Sequence, residues 1–114
     1  MDEKVFKERT KKLAVAIIKQ TDTLPNSRSA DTIARQIIRS GSSIGANYRA
    51  ASTADMINKL KIIEEESDET LYWLELLVET GLVSKEKVQD IYKETNEILA
   101  MTVASLKTLR NRKS

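Results

Sequence analysis

Apolar residues recur at alternating steps of three and four positions through almost the whole of this 114-residue chain, and short turn-forming stretches divide the pattern into four segments. Such spacing places the apolar side chains along one stripe of an α-helix. Three Gly and one Pro are too few for a protein of many strands and turns, and 32% charged residues beside 40% apolar ones is typical of packed amphipathic helices. The pattern predicts an all-α protein, an antiparallel four-helix bundle of up-down-up-down topology in which residues 1–114 form one domain.

The four segments predict helices at about residues 3–21, 29–51, 54–80 and 84–110. Each has a column of core residues at helical spacing, and further apolar residues are expected to widen these columns. In the first and fourth helices the widening residues are Val5, Ala14, Ile18, Ile91, Ile98 and Val103.

Turn and capping residues locate the ends of these helices. Pro25 lies in the first loop and Ser29 is the predicted N-cap of the second helix. The run Ser52-Thr53-Ala54-Asp55 has the form of a capping box, which makes the second connection very short. Gly81 is expected to end the third helix in a Schellman motif. Ser84 is expected to cap the fourth helix, with Val83 and Val88 as a hydrophobic staple.

The second helix has an unusual core column, because its residues are small. Gly41 lies in the middle of this column, where a glycine costs about 1 kcal/mol of helix stability. The spacing keeps phase across Ser40-Gly41-Ser42-Ser43, so we predict one continuous helix in which Gly41 allows a neighbouring helix to approach closely. A kink at this point is the alternative. The column is Ala30, Ala34, Ile37, Gly41, Ile44, Tyr48 and Ala51.

Two polar residues, Glu64 and Ser67, fall on the core column of the third helix. Buried polar groups need partners. One interpretation is a buried Glu64 carboxylate paired with an Arg of the second helix or of another subunit. The other is that the apolar stripe rotates onto Ile63 and Thr70.

Several functions are excluded by what the chain lacks. It has no His and no Cys, which removes the usual general base, thiolate chemistry and the His-containing di-iron motif of helical bundles. We therefore expect a protein that is not an enzyme and holds no cofactor or metal. The longest apolar run, residues 13–18, is far shorter than the roughly 20 residues that cross a bilayer. The N-terminus lacks the basic-then-apolar order of a secretory signal. We therefore predict a cytoplasmic protein with no membrane partner.

Charges of opposite sign are concentrated in different parts of the chain, although the net charge is only +2. Residues 64–79 hold seven acidic and no basic residues, whereas residues 1–20 hold six basic and three acidic ones. Such segregation suggests contacts between subunits or with nucleic acid. Solvation with local salt bridges is the other interpretation. The candidate nucleic-acid-binding residues lie on one face of each of the first two helices: Lys4, Lys7, Lys11, Arg28, Arg35 and Arg39.

Trp73 and Tyr72 are adjacent in a helix that is otherwise aliphatic and acidic. A lone Trp of this kind belongs either to the core or to a subunit interface, where Trp and Tyr are enriched. Together with Gly41 and Glu64, they are the candidate interface residues.

Two segments resemble the signature of the bacterial four-helix bundle proteins encoded in intervening sequences of 23S ribosomal RNA genes. They are RQIIRSGSSIGANY at residues 35–48, and KLKIIEEESDET followed by YWLELL within residues 59–77. The similarity covers nearly the whole chain, and it implies the four-helix fold without catalytic residues. Members are similar in fold to the accessory protein of diversity-generating retroelements, a pentamer that binds nucleic acid and a reverse transcriptase. The resemblance therefore implies a homopentamer, with RNA, DNA or another protein as its partner. The alternative is a structural or protein-interaction module without affinity for nucleic acid.

Overall fold

The computed structural model describes residues 1–113, with the backbone alone for the last of them. Within that range the chain forms four α-helices and no strand: α1 (Glu3–Thr21), α2 (Arg28–Ala50), α3 (Met56–Glu79) and α4 (Lys85–Lys113). The all-α four-helix bundle predicted from the sequence is confirmed. None of the helices described is long and apolar enough to span a lipid bilayer.

The helices pack side by side in an elongated bundle of 49 × 21 × 21 Å. α2 contacts both α1 and α3, and α4 packs along α3 and more briefly against α1. Successive helices are antiparallel and connected by short loops. As a result, α1 and α3 lie across the bundle from each other, and their outward faces point to different sides of the molecule.

The core runs along the bundle axis, where the apolar stripes of all four helices meet. The ring of Phe6 on α1 meets that of Tyr48 on α2 edge-on, with 4.6 Å between ring centroids. Removing apolar area from water at about 25 cal/mol per Å² is the main stabilising contribution. The largest fully buried apolar side chains come from every helix: Phe6, Ile17, Ile37, Ile44, Leu60, Ile63, Leu74, Leu77, Ile98 and Leu106.

α2 begins one residue earlier than predicted, and its N-cap is Ser27 instead of Ser29. Ser27 has the extended backbone that an N-cap requires, and its hydroxyl accepts a hydrogen bond from the Ala30 N–H at 3.1 Å. This bond satisfies one of the donors left free in the first turn. Ser29 lies exposed inside that turn.

The connection between α2 and α3 contains a 3₁₀ turn, Thr53–Asp55, in place of the predicted capping box. Neither the Ser52 nor the Asp55 side chain caps a helix. The Asp55 N–H instead bonds to the Ser52 carbonyl at 3.1 Å. The backbone thus closes the turn by itself, and α3 begins at Met56, two residues later than expected.

The predicted end of α3 at Gly81 agrees with the structure. Gly81 has a φ of 77°, a conformation that favours glycine. The Gly81 N–H donates to the Val78 carbonyl and the Leu82 N–H donates to the Leu77 carbonyl, both at 3.0 Å. These two bonds form the predicted Schellman motif. After Ser84, α4 begins at Lys85 and continues three residues beyond the predicted end at 110. Arg110 and Arg112 in the last turn of α4 are favourable at the negative end of the helix dipole.

α2 is one continuous helix through Gly41, as predicted. A Cβ atom on Gly41 would lie 2.5 Å from Cδ1 of Ile17, closer than real carbon atoms approach. A Cβ atom on Gly45 would lie 3.0 Å from Oγ1 of Thr10. The two glycines therefore allow α1 to approach α2 closely.

The apolar stripe of α3 rotates onto Ile63 and Thr70, so the second interpretation of this helix is confirmed. Both residues are fully buried, whereas Glu64 is half-buried. The Thr70 hydroxyl lies 2.9 Å from Oγ of Ser40. Ser67 is also fully buried, and its hydroxyl has no hydrogen-bond partner within the part of the chain that the structure describes.

Three apolar residues that were predicted to widen the core columns lie on the surface. Val5 and Ile18 of α1 are 45% and 42% exposed, and Val103 of α4 is 44% exposed. A helix at one corner of a four-helix bundle touches only two neighbours, so its buried sector is narrow. These three positions fall outside that sector.

Candidate nucleic-acid and subunit interfaces

Arg39 is held between α2 and α3 by two carboxylates. Its Nη1 lies 3.3 and 3.2 Å from the two carboxylate oxygens of Glu66, and its Nη2 donates a hydrogen bond to Glu69. Glu69 also accepts a hydrogen bond from the indole N–H of Trp73 at 3.2 Å. The hydrogen bond to Glu66 is the largest cause that raises the pKa of Arg39 above its ordinary value. The structure thus places Arg39 in a contact between helices instead of leaving it as a free phosphate-binding group.

Arg28 and Arg35 remain the available arginines of the predicted set on α2. Both are exposed, and in the described part of the chain neither has an ion-pair partner. They are seven residues apart, which is two helical turns or about 10 Å. Their guanidinium groups are free to bind an external anion.

The predicted lysines of α1 lie far from these arginines. α1 and α2 are antiparallel, and Phe6 of α1 is level with Tyr48 of α2. Tyr48 is 13 residues after Arg35, so Lys7, next to Phe6, is about 20 Å from Arg35 along the bundle, and Lys11, four residues further along α1, is about 14 Å from it. Lys7 forms an exposed salt bridge with Glu3 at 3.0 Å. The six predicted residues therefore do not form one compact patch: Lys4 and Lys7 lie near one end of the α1–α2 pair, Lys11 lies near the middle of α1, and Arg28 and Arg35 lie towards the other end.

The four candidate interface residues are found in different surroundings. Gly41 is buried against α1 of its own chain. Trp73 is half-buried and Tyr72 is 53% exposed, with the two rings in a T-shaped contact of 5.2 Å. Glu64 borders a groove between α3 and α4, beside Lys107. Of the four, Tyr72 is the large apolar side chain that is open to a partner.

Arg9 forms a contact that was not anticipated from the sequence. Its guanidinium donates to the two carboxylate oxygens of Glu94 at 2.6 and 2.9 Å and reaches Glu97 at 3.4 Å and the sulfur of Met101 at 3.4 Å. The bond to Glu94 is the largest cause that raises the pKa of Arg9. On α4 the contact residues follow steps of three and four: Glu94, Glu97 and Met101. This spacing in the sequence is the signal from which a contact stripe facing α1 could have been predicted.

Among the residues described, no group of three or more His, Cys, Asp or Glu side chains is arranged to hold a metal ion. The acidic residues of α3 instead bond to Arg39, Trp73 and, through Glu75, to the Tyr92 hydroxyl at 3.0 Å. The bond to Glu75 is the largest cause that raises the pKa of Tyr92. The contacts with Arg39 and Tyr92 link neighbouring helices, whereas the Glu69–Trp73 bond lies within α3.

Comparison with protein families supplies the decisive observation. Residues 2–104 match the family described as 23S rRNA-intervening sequence protein. The chain belongs to this family. The matched region contains the α2 arginines, the α1 lysines and the Tyr72–Trp73 pair, so all ten candidate residues are part of the family domain.

A solved structure supports this membership of the 23S rRNA-intervening sequence protein family. It is a protein of unknown function from the S23 ribosomal protein family of Bacteroides thetaiotaomicron VPI-5482. The two chains are 38% identical with a TM-score of 0.81, and the similarity covers 90% of this chain and 98% of that one. No curated protein matches the chain. The comparisons thus establish the fold and the family, and the function has to be argued from the surface.

Proposed function

We propose that this protein is a non-enzymatic, homo-oligomeric four-helix bundle that binds the phosphate backbone of RNA or DNA through Arg28 and Arg35 on the outward face of α2. The observation that carries this proposal is that both arginines are exposed without an ion-pair partner in the described residues. A free guanidinium loses no internal partner when it binds a phosphate, and its planar geometry allows two parallel hydrogen bonds to the phosphate oxygens.

Two further features support this proposal. Residues 1–50 carry ten basic and five acidic residues, so the α1–α2 side of the molecule attracts anions. The description of the family, 23S rRNA-intervening sequence protein, also names a ribosomal RNA. Binding of this kind depends on charge and not on base sequence, because phosphate contacts carry no sequence information.

The test is fluorescence anisotropy with a labelled single-stranded RNA and a labelled DNA duplex of about 20 nucleotides, at about 50 and 200 mM salt. We expect Arg28→Glu and Arg35→Glu each to weaken binding by about tenfold, and the slope of log K against log salt to fall by about one for each phosphate contact removed. Lys107→Glu is the matched control, because Lys107 is exposed on α4 and its reversal changes the net charge equally. Absence of binding at low salt, or an equal loss in all three variants, contradicts the proposal.

Light scattering on the full chain tests the assembly. The resemblance implies a pentamer, so the expected mass is about five times the 12.9 kDa of one chain. A mass of one chain, with or without RNA, contradicts the homo-oligomeric part of the proposal. A different multiple of the chain mass changes the number of subunits only.

A second candidate function is a protein-interaction module without affinity for nucleic acid. The observation that favours it is the exposure of apolar side chains on outward faces, with Tyr72 at 53% and Val15 at 45%. Exposed aromatic and aliphatic groups of this kind are typical contact points for another protein. An oligomer that ignores RNA and DNA at low salt is the result that selects this candidate.

A further inference from the structure

The outward face of α1 presents an exposed apolar residue surrounded by positive charge. Val15 is 45% exposed. On a helix its surface neighbours are three and four residues away, and these are Lys11, Lys12, Ile18 and Lys19. Ile18 is 42% exposed and the three lysines are exposed. We call these five residues the α1 face.

The outward face of α3 has the same arrangement with the opposite charge. Its centre is Tyr72, which is 53% exposed. The corresponding neighbours are Asp68, Glu69, Glu75 and Leu76, three acidic residues and one aliphatic residue. Asp68 and Glu75 are exposed, whereas Glu69 and Leu76 are half-buried. We call these five residues the α3 face.

The α1 face and the α3 face are opposite in charge. The lysines of the α1 face have no ion-pair partner among the described residues, and neither has Asp68. Glu69 and Glu75 also contact Arg39 and Tyr92 of their own chain. The charges facing outward are therefore only partly neutralised within one protomer.

Within one chain the two faces cannot meet. α1 and α3 occupy opposite corners of the bundle, and α2 and α4 lie between them. A complementary surface must therefore be supplied from outside the protomer, and a second copy of this chain carries it.

We propose that the α1 face of one copy binds the α3 face of the next copy. Val15 and Ile18 pack against the ring of Tyr72 in the dehydrated centre, and the lysines face the carboxylates at the rim. The contact joins two different surfaces, so each added copy leaves one face open, and further copies add in the same direction until a ring closes. This inference rests on the proposed homo-oligomeric function and names its contact surfaces.

Two single-face variants test the contact directly by light scattering. Val15→Glu puts a carboxylate opposite the acidic α3 face, and Tyr72→Asn removes the aromatic centre of that face. Each variant alone is expected to fall to the 12.9 kDa of one chain. An equimolar mixture is expected to double that mass and to grow no further, because the intact α3 face of one variant binds the intact α1 face of the other.

Val103→Glu is the matched control. Val103 is 44% exposed, close to Val15, but lies on α4 outside both faces. This variant is expected to keep the wild-type mass. Circular dichroism melts show whether each variant is folded, and the exposure of all three positions leads us to expect wild-type helicity.

Charge exchange provides a second test that does not depend on the apolar centre. Lys12→Glu and Asp68→Lys are each expected to reduce the assembled fraction at low salt several-fold, and their combination in one chain to restore it.

A monomeric wild-type protein overturns the homo-oligomeric function itself. A wild-type oligomer whose mass is unchanged by Val15→Glu and Tyr72→Asn overturns the assignment of these faces alone. Variants that are monomeric alone and remain so when mixed also overturn it.

Discussion

α1 contacts its two neighbours in different ways. Against α2 it packs by shape, because Gly41 leaves room for Ile17 and Gly45 leaves room for Thr10. No ion pair joins these two helices in the described part of the chain. The absence of side chains on two residues of α2 is what allows this close contact.

Against α4, α1 makes a shorter contact that is centred on charge. Arg9 bonds to both oxygens of Glu94, and the Arg9 and Glu94 side chains are each 30% exposed. Partly exposed ion pairs contribute little net stability, since solvent and salt screen them. Shape complementarity to α2 therefore supplies most of the stability with which α1 is held in the bundle. The Arg9–Glu94 pair instead selects which face of α4 packs against α1.

The largest expected effect comes from filling the space in the shape-based contact. Gly41→Val places methyl groups where Cδ1 of Ile17 lies, and overpacking of this kind should destabilise the fold by about 2 kcal/mol. Urea denaturation measures it. Ala46→Val is the control, because Ala46 is exposed on the same helix and should cost only about 0.5 kcal/mol. An unchanged midpoint for Gly41→Val contradicts the role of the glycine.

A smaller effect is expected from the charge-based contact. Arg9→Gln removes the ion pair and most of its hydrogen bonds, which should cost about 1 kcal/mol at low salt. The loss should shrink at about 1 M NaCl, where the pair is screened, while the loss for Gly41→Val should stay the same. A double-mutant cycle with Glu94→Gln isolates the pair. Equal salt sensitivity of the two variants would remove the distinction between the contacts.

The smallest effect is expected at Gly45. A Cβ atom there would lie 3.0 Å from Oγ1 and 3.3 Å from Cβ of Thr10, so a shift of a few tenths of an ångström accommodates it. Alanine is favoured over glycine inside a helix by about 1 kcal/mol. The two contributions should nearly cancel, leaving Gly45→Ala within about 0.5 kcal/mol of wild type in urea denaturation. A loss above this would show that the whole α1–α2 contact, and not Gly41 alone, is limited by shape.

The helices and the role of Gly41 were predictable because their signals are local. The alternation of three and four residues specifies which side of a helix is apolar, and a glycine that keeps phase with it indicates a close contact. Gly81 was predictable for the same reason, since a Schellman motif involves only neighbouring residues. Ser29 and the capping box were wrong because several Ser and Asp residues at each boundary are able to cap, and only the backbone conformation decides between them.

The candidate sites were less predictable. The pairing of an arginine of α2 with α3 was considered for Glu64, but Arg39 bonds to Glu66 and Glu69. The candidate lysines of α1 and arginines of α2 do not form one compact patch, since Lys7 lies about 20 Å from Arg35 along the bundle. Both results depend on how far one helix slides along and turns against the next, and a helical turn of 5.4 Å is enough to exchange partners.

The sequence by itself determined the number of helices, their order, the small residues in the α2 column and the segregation of charge between α1 and α3. Only the tertiary structure decided that Arg9 and Arg39 are paired, that Arg28 and Arg35 have no ion-pair partner among the residues described, and that Val15 and Tyr72 face outward from opposite corners. The physical reason is the separation along the chain of the residues that interact. Helix formation depends on residues within about four positions of each other, whereas ion pairs and exposed faces depend on the rotation of whole helices, which the packed core sets.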